Sequence, residues 1–192
     1  MNKRVLCSLL LLFGALATPM LALAAAPGED VSYTYLEGGY QHIDGSGALD
    51  ADGAYVRGSY EFGDSGVYVL GSYAHLDNDG FNIRPRPAEA GVGYHYDFSD
   101  RVAVLGEIAY QRIDTRIGDA EGFRYSVGVR GQFNDAWEGL AKVNHYDQGD
   151  FVGNTTGTLG VQYRFGPTWG VTGEVEFDGD DQAYLVGLRA SF

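Results

Sequence analysis

The 192-residue sequence is short of cysteine, of lysine and of long apolar runs. Its single cysteine, Cys7, has no partner in the chain, so a disulfide scaffold is excluded. Its only lysines are Lys3 and Lys142, and 13 basic groups face 26 acidic ones, a formal net charge of −13. Such a chain lacks the basic stripe that phosphate backbones require, which argues against a nucleic-acid partner. Beyond the first two dozen residues there is no run of 18 apolar residues, so no helix there can span a membrane. Glycine and aromatics, by contrast, are abundant. The 29 Gly are roughly twice the usual share of ~7 %. Disorder usually goes with few aromatics, yet 14 Tyr, 10 Phe and 2 Trp sit on this acidic background. The length fits one domain.

The first 24 residues read as a leader. Met1-Asn2-Lys3-Arg4 is a short basic start, Val5 to about Leu16 is apolar, and Thr18-Pro19 and Ala22-Leu23-Ala24 follow. A basic start, a short apolar stretch and an A-x-A site make a secretory signal peptide, residues 1–24, with an N-terminal membrane anchor as the alternative. A lipoprotein signal would place its cysteine at the cleavage point, and Cys7 is too early. Cleavage after Ala24 leaves residues 25–192 with 11 basic and 26 acidic groups, a net charge of −15, and no cysteine. The protein is expected to be exported, and any membrane-spanning part must be built from strands.

A repeat of about 34 residues organises the remainder. Segments opening at Ser32, Val67, Val102, Trp137 and Trp169 alternate with five that end on Phe62, Phe98, Phe133, Phe165 and Phe192. Stepping back in twos from those Phe gives apolar positions, such as Tyr96-Tyr94-Val92 and Ala190-Leu188-Val186. The interleaved positions are polar or Gly, such as Asp97-His95-Gly93 and Ser191-Arg189-Gly187. That is a period of two, the period of a strand. Tight turn chemistry follows each of the first four Phe, as in Gly63-Asp64-Ser65-Gly66 and Gly166-Pro167-Thr168. The other strand ends carry longer, more polar loops. The chain reads as ten antiparallel strands.

The charges decide how ten such strands close. A transmembrane barrel turns an apolar band and aromatic girdles outward and keeps a polar lumen. The polar parity here carries Glu37, Arg57, Glu61, Glu107, Arg130, Glu138, Lys142, Arg164, Glu174, Glu176 and Arg189. A charge at the bilayer midplane costs about 2–4 kcal/mol, so this parity belongs in a lumen and the Phe-bearing parity in lipid. A secreted soluble β-sandwich explains the alternation but neither the rim of Phe nor the charge on every strand. The expected fold is all-β, a ten-stranded antiparallel up-and-down transmembrane β-barrel. Short periplasmic turns close one end and longer, acidic extracellular loops the other.

The ending Tyr184-Leu185-Val186-Gly187-Leu188-Arg189-Ala190-Ser191-Phe192 resembles the β-signal of outer-membrane barrels, whose alternate positions here are Tyr184, Val186, Leu188, Ala190 and Phe192. The mature chain is similar to the OmpA/OmpX-like small outer-membrane barrel superfamily. That resemblance implies an outer-membrane location reached through the periplasm, with periplasmic chaperones and the outer-membrane assembly machinery as partners. A narrower resemblance is to barrels of the sulfation-dependent quorum factor family. It rests on Ser32-Tyr33-Thr34-Tyr35-Leu36-Glu37-Gly38-Gly39-Tyr40 and on Trp169-Gly170-Val171-Thr172-Gly173-Glu174 with Asp178-Gly179-Asp180.

Mixed-sign side chains meeting inside a narrow barrel predict a salt-bridged network filling most of the lumen, with a narrow solute channel as the alternative. The loops are acidic, with Asp44, Asp50, Asp52, Asp77, Asp79, Asp114, Asp119, Glu121, Asp147, Asp150, Asp178, Asp180 and Asp181 against Arg84, Arg86 and Arg116. Carboxylates beside lipopolysaccharide phosphates call for bridging Ca²⁺ or Mg²⁺, or else form a plain solvated surface. The loop Phe81-Asn82-Ile83-Arg84-Pro85-Arg86-Pro87 is apolar, basic and stiffened by proline, which makes Phe81, Ile83, Arg84 and Arg86 contact candidates for lipopolysaccharide or a partner. No discrete metal or cofactor site can be named. Three His-x-Asp pairs, His42/Asp44, His75/Asp77 and His145/Asp147, raise a proteolytic or lipid-modifying enzyme as a third function. They recur at equivalent repeat positions on the lipid-facing parity, and no Ser is registered with them, so an enzyme is not expected. The expected task is structural or adhesive contact at the cell envelope.

Overall fold

The computed structural model describes residues 31–45, 50–78, 84–115, 118–148, 151–179 and 181–192. The expected leader, Phe81, Ile83 and Arg116 lie outside the described residues. Ten strands run in chain order: β1 Tyr35–Asp44, β2 Ala51–Glu61, β3 Val67–Asp77, β4 Arg86–Ser99 and β5 Val102–Thr115, then β6 Gly118–Gln132, β7 Trp137–Gln148, β8 Phe151–Arg164, β9 Trp169–Asp178 and β10 Asp181–Ser191. Each pairs antiparallel with its sequence neighbours, and β1 closes the barrel on β10. Closure leaves no strand at the edge of an open sheet.

The alternation in the sequence becomes the two faces of this wall. Outward stand Val92, Tyr94, Tyr96 and Phe98 of β4, Val102, Val104 and Ile108 of β5, and Val127 and Val129 of β6, all exposed. Such a continuous apolar surface is what lipid, not water, solvates. Aromatic rings gather at its two borders. Phe98 and Phe133, 78 % and 72 % exposed, mark the end with the short turns. Tyr40, Tyr73, Tyr110 and Tyr184 mark the other. At this second border the tyrosine hydroxyls meet polar groups, with Tyr40 donating to Asp52 and Tyr110 to Glu121. An amphipathic ring buries its body in the apolar layer while its hydroxyl stays in the polar one.

At the turn end the links span 62–66, 100–101, 133–136 and 165–168. Gly63 and Gly66 take φ of 59° and 72°, a region that only a residue without Cβ enters freely. At the loop end two links, 45–50 and 78–85, are long, while 116–117, 149–150 and 179–180 leave two residues each between strands, of which β5 and β6 are among the longest at 14 and 15 residues. Much of the acidic rim therefore rides on strand ends: Asp114, Asp119 and Glu121 surround Arg112 at the loop end of β5 and β6.

Inside, two apolar clusters bracket the polar middle. Ile43, Ala51, Tyr55, Ala74, Leu76, Ile113, Ala183 and Leu185 fill the loop end. Tyr33, Tyr68, Leu70, Ala103, Leu105 and Ala109 fill the turn end. The sequence reading anticipated a lumen of charges and passed over these layers.

Candidate functional site in the barrel lumen

The middle of the lumen is built by cross-strand register. Glu37 sits opposite Arg57 in the β1–β2 ladder and opposite Arg189 in the β1–β10 ladder. Its side chain is fully buried and accepts from Arg57 Nε at 2.8 Å, Arg189 Nε at 2.7 Å and the Tyr55 hydroxyl at 2.6 Å. Arg57 then reaches across the bore, its Nη2 donating to Glu174 Oε2 on β9 at 2.9 Å. Arg189 donates through Nη1 to Gln162 at 3.1 Å, and its guanidinium lies 4.1 Å over the Tyr35 ring.

A second chain runs along the opposite wall. Arg124 forks onto both oxygens of Glu89, at 2.5 and 2.9 Å, and gives its third nitrogen to Glu107 at 2.9 Å. Fork geometry fixes the relative placement of β4 and β6 more tightly than a point charge would. Lys142 approaches the same Glu107 oxygen at 3.4 Å, and Tyr68 donates to the other at 3.1 Å. From Arg124 the polar contacts continue through Ser126 and Asn144 to Thr156 and Thr158. They end on Glu176, which accepts from Tyr146 at 2.7 Å and Thr156 at 2.6 Å.

The turn end is stoppered by the chain itself. Residues 31–34, read from the sequence as the opening of the first strand, turn into the bore before β1 begins at Tyr35. Tyr33 is 2 % exposed and stacks on His95, with ring centroids 3.9 Å apart and planes 5° from parallel. Arg130 lies 5.0 Å from the centre of the Tyr33 ring, donates to the Ser32 carbonyl at 2.9 Å and pairs with Glu138 at 2.5 Å. The ring nitrogens of His95 stand 3.0 Å from Glu61 and 3.1 Å from Asp97.

Of the residues the sequence nominated for a lumen network, Glu37, Arg57, Glu107, Lys142, Glu174 and Arg189 lie in the central ion pairs, and Arg130 pairs near the turn end. Glu61 faces His95 instead of an arginine. Glu176 is held by hydroxyls and Arg164 stands at the turn-end rim; neither forms an ion pair among the described residues. Missing from the nomination are Glu89 and Arg124, both inside the network. The same step-of-two reading, carried past Val127 on β6 and past Val92 on β4, would have reached both. The sequence count of His-x-Asp pairs also missed a fourth, His95/Asp97, whose histidine points inward.

The outer-face residues stand apart from this site. His42 and His145 lie exposed on the lipid-facing parity, and His145 meets Thr155 at 3.1 Å. Arg84 pairs with Asp77 at 2.8 Å, and Arg86 is exposed at the start of β4. On β10, Tyr184, Val186 and Leu188 present exposed side chains to the outside, Ala190 is covered, and the Phe192 amide donates to Thr34 at 2.9 Å. Among the described residues no group of three or more His, Cys, Asp or Glu converges as a metal site.

The family model described as "Outer membrane protein beta-barrel domain" matches residues 13–165, a span that reaches through β8. Among solved structures the chain is similar to the KdgM porin, with 14 % identity, 82 % of this chain and 99 % of that one covered, and a TM-score of 0.50. It is also similar to the translocator domain of the autotransporter NalP from Neisseria meningitidis, with 11 % identity, coverage of 85 % and 90 %, and a TM-score of 0.49. No curated protein matches it.

Proposed function

The chain belongs to the outer-membrane protein β-barrel family and resides in the outer membrane, and on that premise we propose that it serves as a closed barrel whose work is done at its surface, in envelope integrity or adhesive contact. One observation carries this reading: among the described residues, side chains fill both ends and the middle of the bore. Apolar clusters lie at both ends, and the two Arg–Glu chains lie between them. Two small cavities share the arginines of the middle, one of about 50 Å³ beside Lys142 and one of about 20 Å³ beside Glu138, each with room for no more than a few waters.

With the bore filled, contact falls to the outer rim. Its carboxylates, together with Arg84, Arg86, Phe81 and Ile83, are the candidates for meeting lipopolysaccharide, with divalent cations bridging carboxylate to phosphate. Chaperones and the assembly machinery would read Tyr184, Val186, Leu188, Ala190 and Phe192 on the way to the membrane. The tighter kinship with the sulfation-dependent quorum factor family is part of this proposal and rests on the segments opening at Ser32 and Trp169.

Single-channel recording on the folded protein in planar bilayers tests the reading. The expected result is a silent membrane. Stepwise currents from the unmodified protein would overturn it in favour of the second reading, a narrow channel, which the cations Arg57, Arg130, Lys142 and Arg189 along the cavity favour.

A further inference from the structure

The stopper at the turn end is attached differently from every strand around it. Residues 31–34 belong to no ladder. Two of their carbonyls are held by side chains, that of Tyr33 by the Ser59 hydroxyl and that of Ser32 by Arg130, and the Thr34 hydroxyl accepts from the Glu61 amide at 3.0 Å. The chain terminus completes the attachment, with the Ser32 hydroxyl donating to the Phe192 carbonyl at 2.9 Å and the Phe192 amide to Thr34 at 2.9 Å. β1, which starts at the very next residue, is instead paired with β10 along its whole length and with β2 from Tyr35 to Ile43. A segment held by a few side-chain bonds opens far more often than the ladders beside it.

What lies behind this segment is a space. Tyr33 lines the cavity of about 50 Å³ together with Ser59, Tyr68, Leu70, Leu105 and the four cations already named. The apolar cluster around Leu76 closes the loop end independently, on residues that 31–34 do not touch.

We propose that residues 31–34 form a detachable periplasmic strap over a one-sided chamber, which opens to the periplasm when Tyr33 leaves its place against His95 while the loop end stays shut. The strap reaches beyond the closed-barrel reading, because it makes part of the lumen an accessible compartment without making a pore. Its sign is reactivity on one side of the barrel, not current.

Residues 25–192 contain no cysteine, so in protein of that span single thiols report directly. Leu70→Cys places a thiol in the chamber wall and Leu76→Cys places one in the loop-end cluster. Each is reacted with a small maleimide on the folded protein, with and without Tyr33→Ala. The expected result is labelling at position 70 at least about tenfold faster once Tyr33 is removed, with position 76 unchanged. Equal rates at position 70 with and without Tyr33 would overturn the strap, and so would parallel acceleration at position 76, which would mean general loosening. Where Tyr33→Ala fails to fold, Ser59→Ala removes a single bond to the strap and is expected to accelerate position 70 in the same direction. Planar-bilayer current from the unmodified protein bears on the closed barrel alone and leaves the labelling comparison to decide the strap.

Discussion

At the scale of single residues, burial without a counter-charge separates the glutamates of the lumen. Glu37 holds two guanidiniums and a tyrosine hydroxyl at once, whereas Glu176 holds only hydroxyls. Breaking a buried ion pair from one side typically costs 3–5 kcal/mol, because the stranded charge keeps its desolvation penalty. Glu37→Gln is therefore expected to lower stability by about 3–5 kcal/mol in urea unfolding from lipid vesicles. Glu176→Gln, which keeps an acceptor for Tyr146 and Thr156, is expected to change it by less than about 1 kcal/mol. Equal losses would mean that the ion pairs on Glu37 contribute nothing beyond hydrogen bonding. The alternation of polar and apolar positions made the inward direction of both residues legible. Their partners were not legible, since the Arg57–Glu174 bond joins residues 117 positions apart and depends on how the barrel closes. Tyr68 shows the same limit. Its ring lies over inward-facing Gly93, where an added Cβ would meet ring carbon at 2.2 Å, so Gly93→Val is expected to destabilise by about 1–3 kcal/mol in the same assay.

At the scale of elements, strand number and direction followed from periodicity, and element ends did not. Residues 31–34 carry the same alternating Tyr and polar residues as a strand, yet pairing starts only at Tyr35, and Tyr33 turns into the bore against His95 instead of continuing along Tyr60 and Glu61 of β2. Length was misjudged for a related reason. Acidic residues 114–121 read as loop, but paired antiparallel backbone satisfies its own hydrogen bonds above the membrane as well as within it, so β5 and β6 continue. The last strand carries the element-level prediction. Phe192 follows the last residue of β10 at the barrel seam, with its backbone bonded to Ser32 and Thr34. Phe192→Ala keeps those backbone bonds and removes the ring. A stability role alone predicts unchanged insertion with easier unfolding. A role as insertion signal predicts that most of the protein stays in the periplasm while the purified variant refolds normally in detergent. The second outcome is expected, measured as the fraction of cell-envelope protein that migrates faster unboiled than boiled.

At the scale of the whole molecule, the lumen is a series of seals, and a series conducts only when every member is breached. The aqueous path runs past Tyr33, then between the Arg57–Glu174 bond and the Arg124 fork, then through the cluster of Ile43, Leu76, Ile113 and Leu185. Truncating Arg57, Arg130 and Arg189 together widens the middle and loosens the strap through Ser32, but it leaves the loop-end cluster dry. An apolar constriction excludes water even where its diameter would admit an ion. The triple variant on its own is therefore expected to stay silent in planar bilayers. Adding Leu76→Ser and Ile113→Ser, which wet the last constriction, is expected to give stepwise currents. The order of opening distinguishes this picture from a barrel plugged by its charges alone. Current from the triple arginine variant would show the ion network to be the sole barrier. Silence from the combined variant, in protein that still migrates as a folded barrel, would show that backbone closeness rather than side-chain filling keeps the bore shut.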